Sequence, residues 1–561
     1  MFKMSRLIKR HMLSFLALAV VAFIGIKMWT TVSSSSNSSN GLSPRLAKAY
    51  FSEEEEEKDP GTFSENWPDV HVLEGKVRRY LKENSNSSSG YFFPWTHSLK
   101  SHREQFCDET YRENMSFSSS SPVAIIVGAS DSSLLQIFSC VTFLLRNTPK
   151  ELVHNLFVVA DKRLSENDFD ILEDHLLPVP FFRTFHLSNY TDDLPARAFA
   201  AEFTSATTYV FLDAKVIVEE GWLEPLISEV TKNYTTVAVP LPIPSTVNSR
   251  QNLTWYSMRR REIDWDLNLR WGLGTSVSDH SGRLTTQPAI YEHLFVVSAR
   301  YFKEIGGFDY LRKGSGAEAV LWSIKTWLCH GQILRSSCSK VIEFQEPKQR
   351  KRQQYFSERE STLRYKAYVA QTFLSNSYKY YKCLIHNSLP HTRPISFYYT
   401  KALKTYSNIL KCNTFSAFLT RAQTDLKPPP KQSEHYGRLK LSSAEVYVSV
   451  DKNNQLVLVS DETHIANDFS FYNYALMYKG LCLYSSNNHD LVLVKCDSVY
   501  TTKVWQFQNG MIRNKSDQRY CISRVPNRGI KLGHVFLVSC SKPNQYNTFE
   551  FSLSFKKRCL H

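Results

Sequence analysis

The run TYVFLDAKVIVEEGWLEPL, residues 208–226, decides the fold. Its first six residues are an apolar burst that stops on an acid, Asp213. The same form recurs upstream, in VAIIV at 123–127 and in LFVVA at 156–160, the latter followed by Asp161. Each burst has the length of a buried strand, and helical stretches separate them. The alternation therefore implies a parallel α/β sheet with helices on both faces. In open sheets of this kind ligands sit beyond the carboxyl ends of the strands, so Asp161 and Asp213 mark the candidate site. A helix N-cap or turn role is the alternative for either acid.

Downstream, LKPPPKQ at 426–432 reads as a linker, placed at 426–436, and the chain then changes character. From 437 to 561 short Val, Leu, Tyr and Phe runs alternate with Asn, Ser and Gly turns, which implies an all-β module. Two parallel phrases, GLCLYSSNNHDLVLVKCDSVYTTKVWQF (480–507) and RYCISRVPNRGIKLGHVFLVSCSKPNQYNTFEF (519–551), point to an internal repeat.

Upstream, Met12 to Ile26 is almost wholly apolar and extends to Val32, giving about 20 residues and roughly 30 Å of helix. Lys3, Arg6, Lys9 and Arg10 precede it, so residues 1–11 form a cytoplasmic tail, 12–32 a transmembrane signal anchor, and the rest is lumenal. A cleaved signal peptide is the alternative, but no small-x-small cleavage site precedes the Ser run. Residues 33–105 are rich in Ser, Asn and Glu without a sustained apolar period, and read as an extended stem. Asn-x-Ser/Thr sequons begin at Asn37, Asn86, Asn114, Asn189, Asn233, Asn252 and Asn514, all on the lumenal side of the anchor. Eleven cysteines in an oxidising compartment should mostly pair, and the odd count leaves at least one over. The net charge of +15 raises nucleic acid as a partner, but the lumenal topology and the scattered Lys/Arg residues argue against it. The one dense run, KQRKR at 348–352, could meet an acidic acceptor or glycan, with solvated surface as its alternative.

Four ordered segments carry a resemblance: FLDAKVIVEEGWLEPL (211–226), IDWDLNLRW (263–271), ARYFKEIGGFD (299–309) and WLCHGQILRSSCS (327–339). Their order and spacing are similar to those of the polypeptide N-acetylgalactosaminyltransferases, and the all-β tail resembles the ricin-type β-trefoil lectin that this family carries. The resemblance implies a Rossmann-like GT-A glycosyltransferase domain over 106–425 and a lectin-like trefoil over 437–561. It also implies transfer of GalNAc from UDP-GalNAc to Ser/Thr hydroxyls of polypeptides in the Golgi membrane, with manganese as cofactor. Asp161, Arg197 and Asp213 fall at donor-binding positions and Glu318 at a catalytic one. Disulfides are implied between Cys107 and Cys338, Cys329 and Cys412, Cys482 and Cys496, and Cys521 and Cys540.

The same resemblance exposes departures. The family binds its cation through Asp-x-His and a distant His, positions held here by Asp213, Lys215 and Glu343. Only Asp213 keeps a ligand of the family's type. A protonated Lys215 cannot ligate, and its charge repels a dication. Lys215 and Glu343 are expected to pair beside Asp213. Where the family has small residues that leave room for the donor sugar stand Tyr291, Glu292 and His293. The Asp that reads sugar after the first Cys of a lectin repeat is missing after Cys482 and Cys521. Two readings compete: an active transferase with a rearranged, metal-independent site, and a silent relative that binds glycoproteins or an active transferase.

Overall fold

The computed structural model describes Gly75, Cys107 and residues 122–554. Outside the description lie residues 131, 162–163, 177–180, 188–192, 245–258, 266, 273–282, 309–317, 344–354, 375–409, 425, 427–432, 445, 452, 461–466, 486–490, 497–503, 525–534 and 541. Among the described residues no helix is long and apolar enough to cross a membrane, and the apolar stretch 12–32 is outside them. So are the KQRKR run and the sequons at Asn37, Asn86, Asn114, Asn189 and Asn252.

Strands β1 (Val123–Gly128), β2 (Val153–Asp161), β3 (Phe182–Leu187) and β4 (Thr208–Asp213) run parallel in the order β3-β2-β1-β4. Helices α1 (Leu134–Asn147), α2 (Glu166–Leu176) and α3 (Asp193–Ala200) lie between them in sequence. Every residue of β1 and β4 is buried, as layers on both faces require, which is why both read as unbroken apolar bursts. A capping box starts α1: the Gln136 amide donates to Ser133 Oγ, and the Ser133 amide donates to Gln136 Oε1 at 2.8 Å.

The chain continues through β5 (Val216–Val218), α4 (Glu224–Lys232), β6 (Thr236–Pro244), the hairpin β7 (Arg260–Ile263) and β8 (Leu269–Gly272), and β9 (Leu284–Thr286). It goes on with β10 (Leu294–Ser298), α5 (Ala299–Glu304), α6 (Glu318–Leu328), β11 (Gln332–Glu343), α7 (Tyr355–Phe373) and α8 (Phe415–Arg421). The sheet extends as β4-β10-β6-β11-β5, with β9 also beside β11. β10 is antiparallel to β4 and to β6, so the sheet is mixed where a parallel one was expected. All of β10 is buried, and a strand buried on both faces shows the same apolar run whichever way it points. Trp222 ties the turn between β5 and α4 to its surroundings: its indole N–H donates to Thr148 Oγ1 at 3.1 Å, and its carbonyl accepts from Ser339 Oγ at 2.6 Å.

Disulfides join Cys107 to Cys338 and Cys329 to Cys412 in this region. Cys140 is a free, buried thiol, and Cys383 and Cys559 lie outside the described residues.

The C-terminal region is rich in sheet and builds a separate apolar cluster. Its first strand, His435–Leu441, pairs with Asp468–Tyr472 and with the last strand, Phe549–Ser554, so the two ends of the region meet. That strand begins inside the span read as a linker, and Leu426 packs in the core of the first region, so the connection is shorter than expected. The two repeated phrases occupy equivalent places. The Trp505 amide donates to the Tyr474 carbonyl at 2.9 Å and the Phe549 amide to the Gly510 carbonyl at 2.7 Å, and both rings are fully buried. Disulfides Cys482–Cys496 and Cys521–Cys540 staple the corresponding hairpins.

Ion pairs fasten this region to the β7–β8 hairpin. Arg270 reaches Asp468 at 2.9 Å and Glu262 at 3.3 Å, Arg260 holds Glu262 at 2.7 Å, and Arg438 faces Asp264 at 3.6 Å. Gly272 makes room for this network, since a Cβ there would lie 2.1 Å from the Glu262 carboxyl carbon.

His435 sits among Phe471, Phe507 and Phe551, with ring centroids at 6.1, 4.7 and 5.3 Å. Burial pushes its pKa down from 6.5 to about 4. The unfolded chain therefore takes up this proton first. The stability tied to the neutral ring is complete above pH 6.5 and is lost as pH falls towards 4. Thermal denaturation should show the melting temperature falling between pH 7 and pH 5, with a shallower fall in His435→Phe. An equal slope in both proteins would count against this assignment.

Candidate functional site

The site forms at the carboxyl ends of β4 and β11. Asp213 is the last residue of β4, and its backbone amide donates to the His293 carbonyl at 2.8 Å. Its Oδ1 accepts from the Lys215 amide at 2.9 Å, which closes the turn into β5. Glu343 ends β11, and the pairing of β11 with β5 sets it opposite Val216. Between the two carboxylates stands the ring of His293. Its Nδ1 lies 2.9 Å from Asp213 Oδ2 and its Nε2 lies 3.8 Å from Glu343 Oε1.

The electrostatics follow from this arrangement. Burial opposes a charge on His293, but the hydrogen bond to Asp213 and the charges of Asp213, Glu292 and Glu343 outweigh it and raise the ring's pKa to about 9. The ring is an imidazolium at neutral pH. Burial would raise the Asp213 pKa, yet the His293 hydrogen bond and the charges of His293, Arg197 and Lys215 hold it below the usual carboxylate value.

The two residues before His293 are anchored as well. Tyr291 is 2% exposed, with its ring 5.4 Å from that of His293 and 6.2 Å from that of Trp271. Burial, then the nearby Glu343, pushes its phenol well above its ordinary pKa, so it stays neutral. Glu292 is gripped by Arg261 through both carboxylate oxygens, one at 3.1 Å from Nε. Arg261 and Arg259 both lie against the Trp271 ring, each 5.1 Å from its centroid. Burial would raise the Glu292 carboxyl, but Arg261 and His293 hold it down. Arg197, 2% exposed on α3, donates to the Glu292 carbonyl at 3.0 Å. Just upstream, the Ile290 amide donates to Ser323 Oγ of α6 at 3.1 Å.

The structure thus brings Asp213 and Glu343 to one ring and sets the charges of Lys215 and Arg197 near enough to act on Asp213. Asp161 ends β2 as expected, in register with Leu187, and its side chain is outside the description. Glu318 opens α6 and is buried, 3% exposed. Beside the expected pairing of Lys215 with Glu343, the ring lying between both carboxylates is that of His293, which the sequence places in the sugar pocket.

These residues do not suit a hard divalent cation. Such an ion needs oxygen or imidazole lone pairs free to converge on it. Here both nitrogens of the His293 imidazole face carboxylates, and Lys215 adds positive charge. Among the described residues no group of three His, Cys, Asp or Glu side chains is arranged to hold a metal. The group can instead hold protons and charge in fixed places, and the Tyr291–His293 segment fills space beside the acid that ends β4.

The mixed sheet with its site at the ends of β4 and β11 has the fold of a GT-A glycosyltransferase, as likeness to a solved structure shows. A crystal structure of GalNAc-T7 with UDP, GalNAc and Mn2+ shares it, at a TM-score of 0.51 and 17% identity over 82% of this chain and 86% of that one. No family model matches the chain. It is 28% identical over 279 residues to polypeptide N-acetylgalactosaminyltransferase 3 of Drosophila melanogaster, a match covering 47% of this chain and 41% of that relative. It is 25% identical over 457 residues to polypeptide N-acetylgalactosaminyltransferase 8 of the same organism, covering 74% of this chain and 72% of that one. The chain is a divergent relative of the polypeptide N-acetylgalactosaminyltransferases, although it spans less than half the length of the first of these relatives.

The grip on Glu292 sets a measurable expectation. Arg261→Met leaves the carboxylate without its partner, which should cost roughly 2 kcal/mol after discounting the partial exposure of the pair. Adding Glu292→Gln should restore most of it. Denaturant unfolding of the single and double variants reads this, and equal losses in both would show that the pair does not hold the segment.

Proposed function

We propose that the chain is a Golgi-membrane relative of the polypeptide N-acetylgalactosaminyltransferases that binds Ser/Thr-rich polypeptides or glycoproteins in the secretory pathway, or an active transferase there, without manganese-dependent transfer of its own. The observation that carries this reading is the occupation of the site by the chain's own Tyr291, Glu292 and His293, each held by a separate partner. A leaving nucleoside diphosphate concentrates negative charge, and a hard cation ordinarily neutralises it as the glycosidic bond breaks. Asp213 is committed to His293 and cannot hold such a cation in this arrangement.

The proposal includes a type II topology, with a tail at 1–11, an anchor at 12–32 and a stem at 33–105. It also takes the C-terminal sheet region, with its equivalent hairpins, for a ricin-type β-trefoil. Asn233 and Asn514 are proposed glycosylation sites along with the five sequons outside the described residues. Asn233 is exposed at the end of α4, and its side-chain oxygen accepts from the Thr235 hydroxyl at 2.9 Å.

One observation favours a second reading. His293, Lys215 and Arg197 surround Asp213 with positive charge, and fixed cations can stabilise a leaving diphosphate without a metal. The full-length protein incubated with labelled UDP-GalNAc and Ser/Thr-rich peptides, with and without manganese, separates the two. No incorporation under either condition is expected. Incorporation without manganese would select the second reading, and incorporation that requires manganese would refute both.

A further inference from the structure

We infer that His293 takes the place of a divalent cation between Asp213 and Glu343, so that this centre is closed by an organic cation carried on the chain. The inference rests on reading the site as that of a GT-A relative, but it concerns what the two carboxylates hold and not whether sugar is transferred.

Three observations lead to it. The first is convergence: Asp213 ends β4 and Glu343 ends β11, remote in sequence, yet both face one ring. Two carboxylates brought together on a shielded strand end need a compensating positive charge, and an enzyme of this fold ordinarily takes that charge from a metal. The second is the orientation of the ring. A neutral imidazole carries a single N–H, so one nitrogen would turn a lone pair towards a carboxylate. With Nδ1 at 2.9 Å from Asp213 and Nε2 at 3.8 Å from Glu343, the doubly protonated ring is the form that suits both neighbours.

The third observation is that the backbone carrying the ring is fixed beside Asp213. The His293 carbonyl accepts from the Asp213 amide at 2.8 Å, the Arg197 guanidinium holds the preceding carbonyl at 3.0 Å, and Arg261 holds the Glu292 carboxylate. An arriving dication would have to displace the ring and then face the positive charges of Lys215 and Arg197, both felt at Asp213. His293 is a positioning residue in this account. It fixes the carboxylates and excludes the metal.

The test compares full-length protein with two substitutions at this position. His293→Gln keeps much of the shape and removes the charge, while His293→Asp adds a third carboxylate. Manganese binding is followed through the spectrum of the free ion by electron paramagnetic resonance, and melting temperature is measured in chelator and in manganese. The wild type is expected to show no saturable manganese binding and no manganese-dependent melting shift. Both variants should melt lower than the wild type in chelator and recover part of the loss in manganese. His293→Asp should bind the ion saturably where the wild type does not, and Asp213→Asn in that background should abolish the binding.

Saturable manganese binding by the wild type that is lost in Asp213→Asn would overturn the inference. So would variants as stable as the wild type in chelator, or variants that lose stability without gaining manganese, which would leave the ring as an ordinary structural ion pair. If His293→Asp does not fold, His293→Gln decides by the same criteria. Metal-independent transfer by the wild type would defeat the silent reading of the protein and leave this inference standing.

Discussion

One imidazole between two carboxylates sets the character of this protein. Asp213 ends β4, Glu343 ends β11 and His293 lies in the turn just before β10, so their contact exists only when these strands of the mixed sheet are assembled. Once it exists, the ring is hydrogen-bonded to Asp213 and lies 3.8 Å from Glu343, and the charges of Lys215 and Arg197 also act on Asp213. A centre in this state needs no ion from solution, whereas an acid pair at the same place without the ring would need one.

The surroundings serve that arrangement. The segment leading to His293 is fixed by Ser323 at Ile290, by tight packing at Tyr291 and by Arg261 and Arg197 at Glu292. Arg261 is steadied by Trp271, which belongs to the same hairpin that carries Arg270 to Asp468 in the C-terminal region. A continuous set of packed rings and ion pairs therefore joins the site to the interface between the two regions. Buried polar groups require near-complete pairing to be tolerated, so a loss at one point is expected to weaken its neighbours.

Much of the fold was legible because buried strands write themselves as apolar bursts. VAIIV, LFVVA and TYVFLD are β1, β2 and β4, and the acids that end two of them stand at the strand ends as read. The direction of β10 was not legible, since a strand covered on both faces carries the same residues in either direction. At the site, sequence reasoning found Asp213, Lys215 and Glu343 by matching positions and found the crowding at 291–293 by side-chain size. It missed that His293 meets Asp213 across 80 residues, because periodicity and spacing do not encode which distant side chain a ring will face. The one available signal was chemical: two acids and a lysine matched to a metal site leave nearby a histidine whose assigned part was only to crowd the sugar pocket. In the C-terminal region the repeated phrases announced equivalent hairpins, while the ion pairs to the β7–β8 hairpin had no signature in either segment alone.

The most direct test of the account is a crystal structure of the protein grown with UDP-GalNAc and manganese, with anomalous data collected at the manganese edge. The account predicts no anomalous peak between Asp213 and Glu343, with His293 Nδ1 still in hydrogen-bond contact with Asp213 Oδ2. A manganese peak within coordination distance of Asp213, with the His293 ring turned away from both carboxylates, would contradict it.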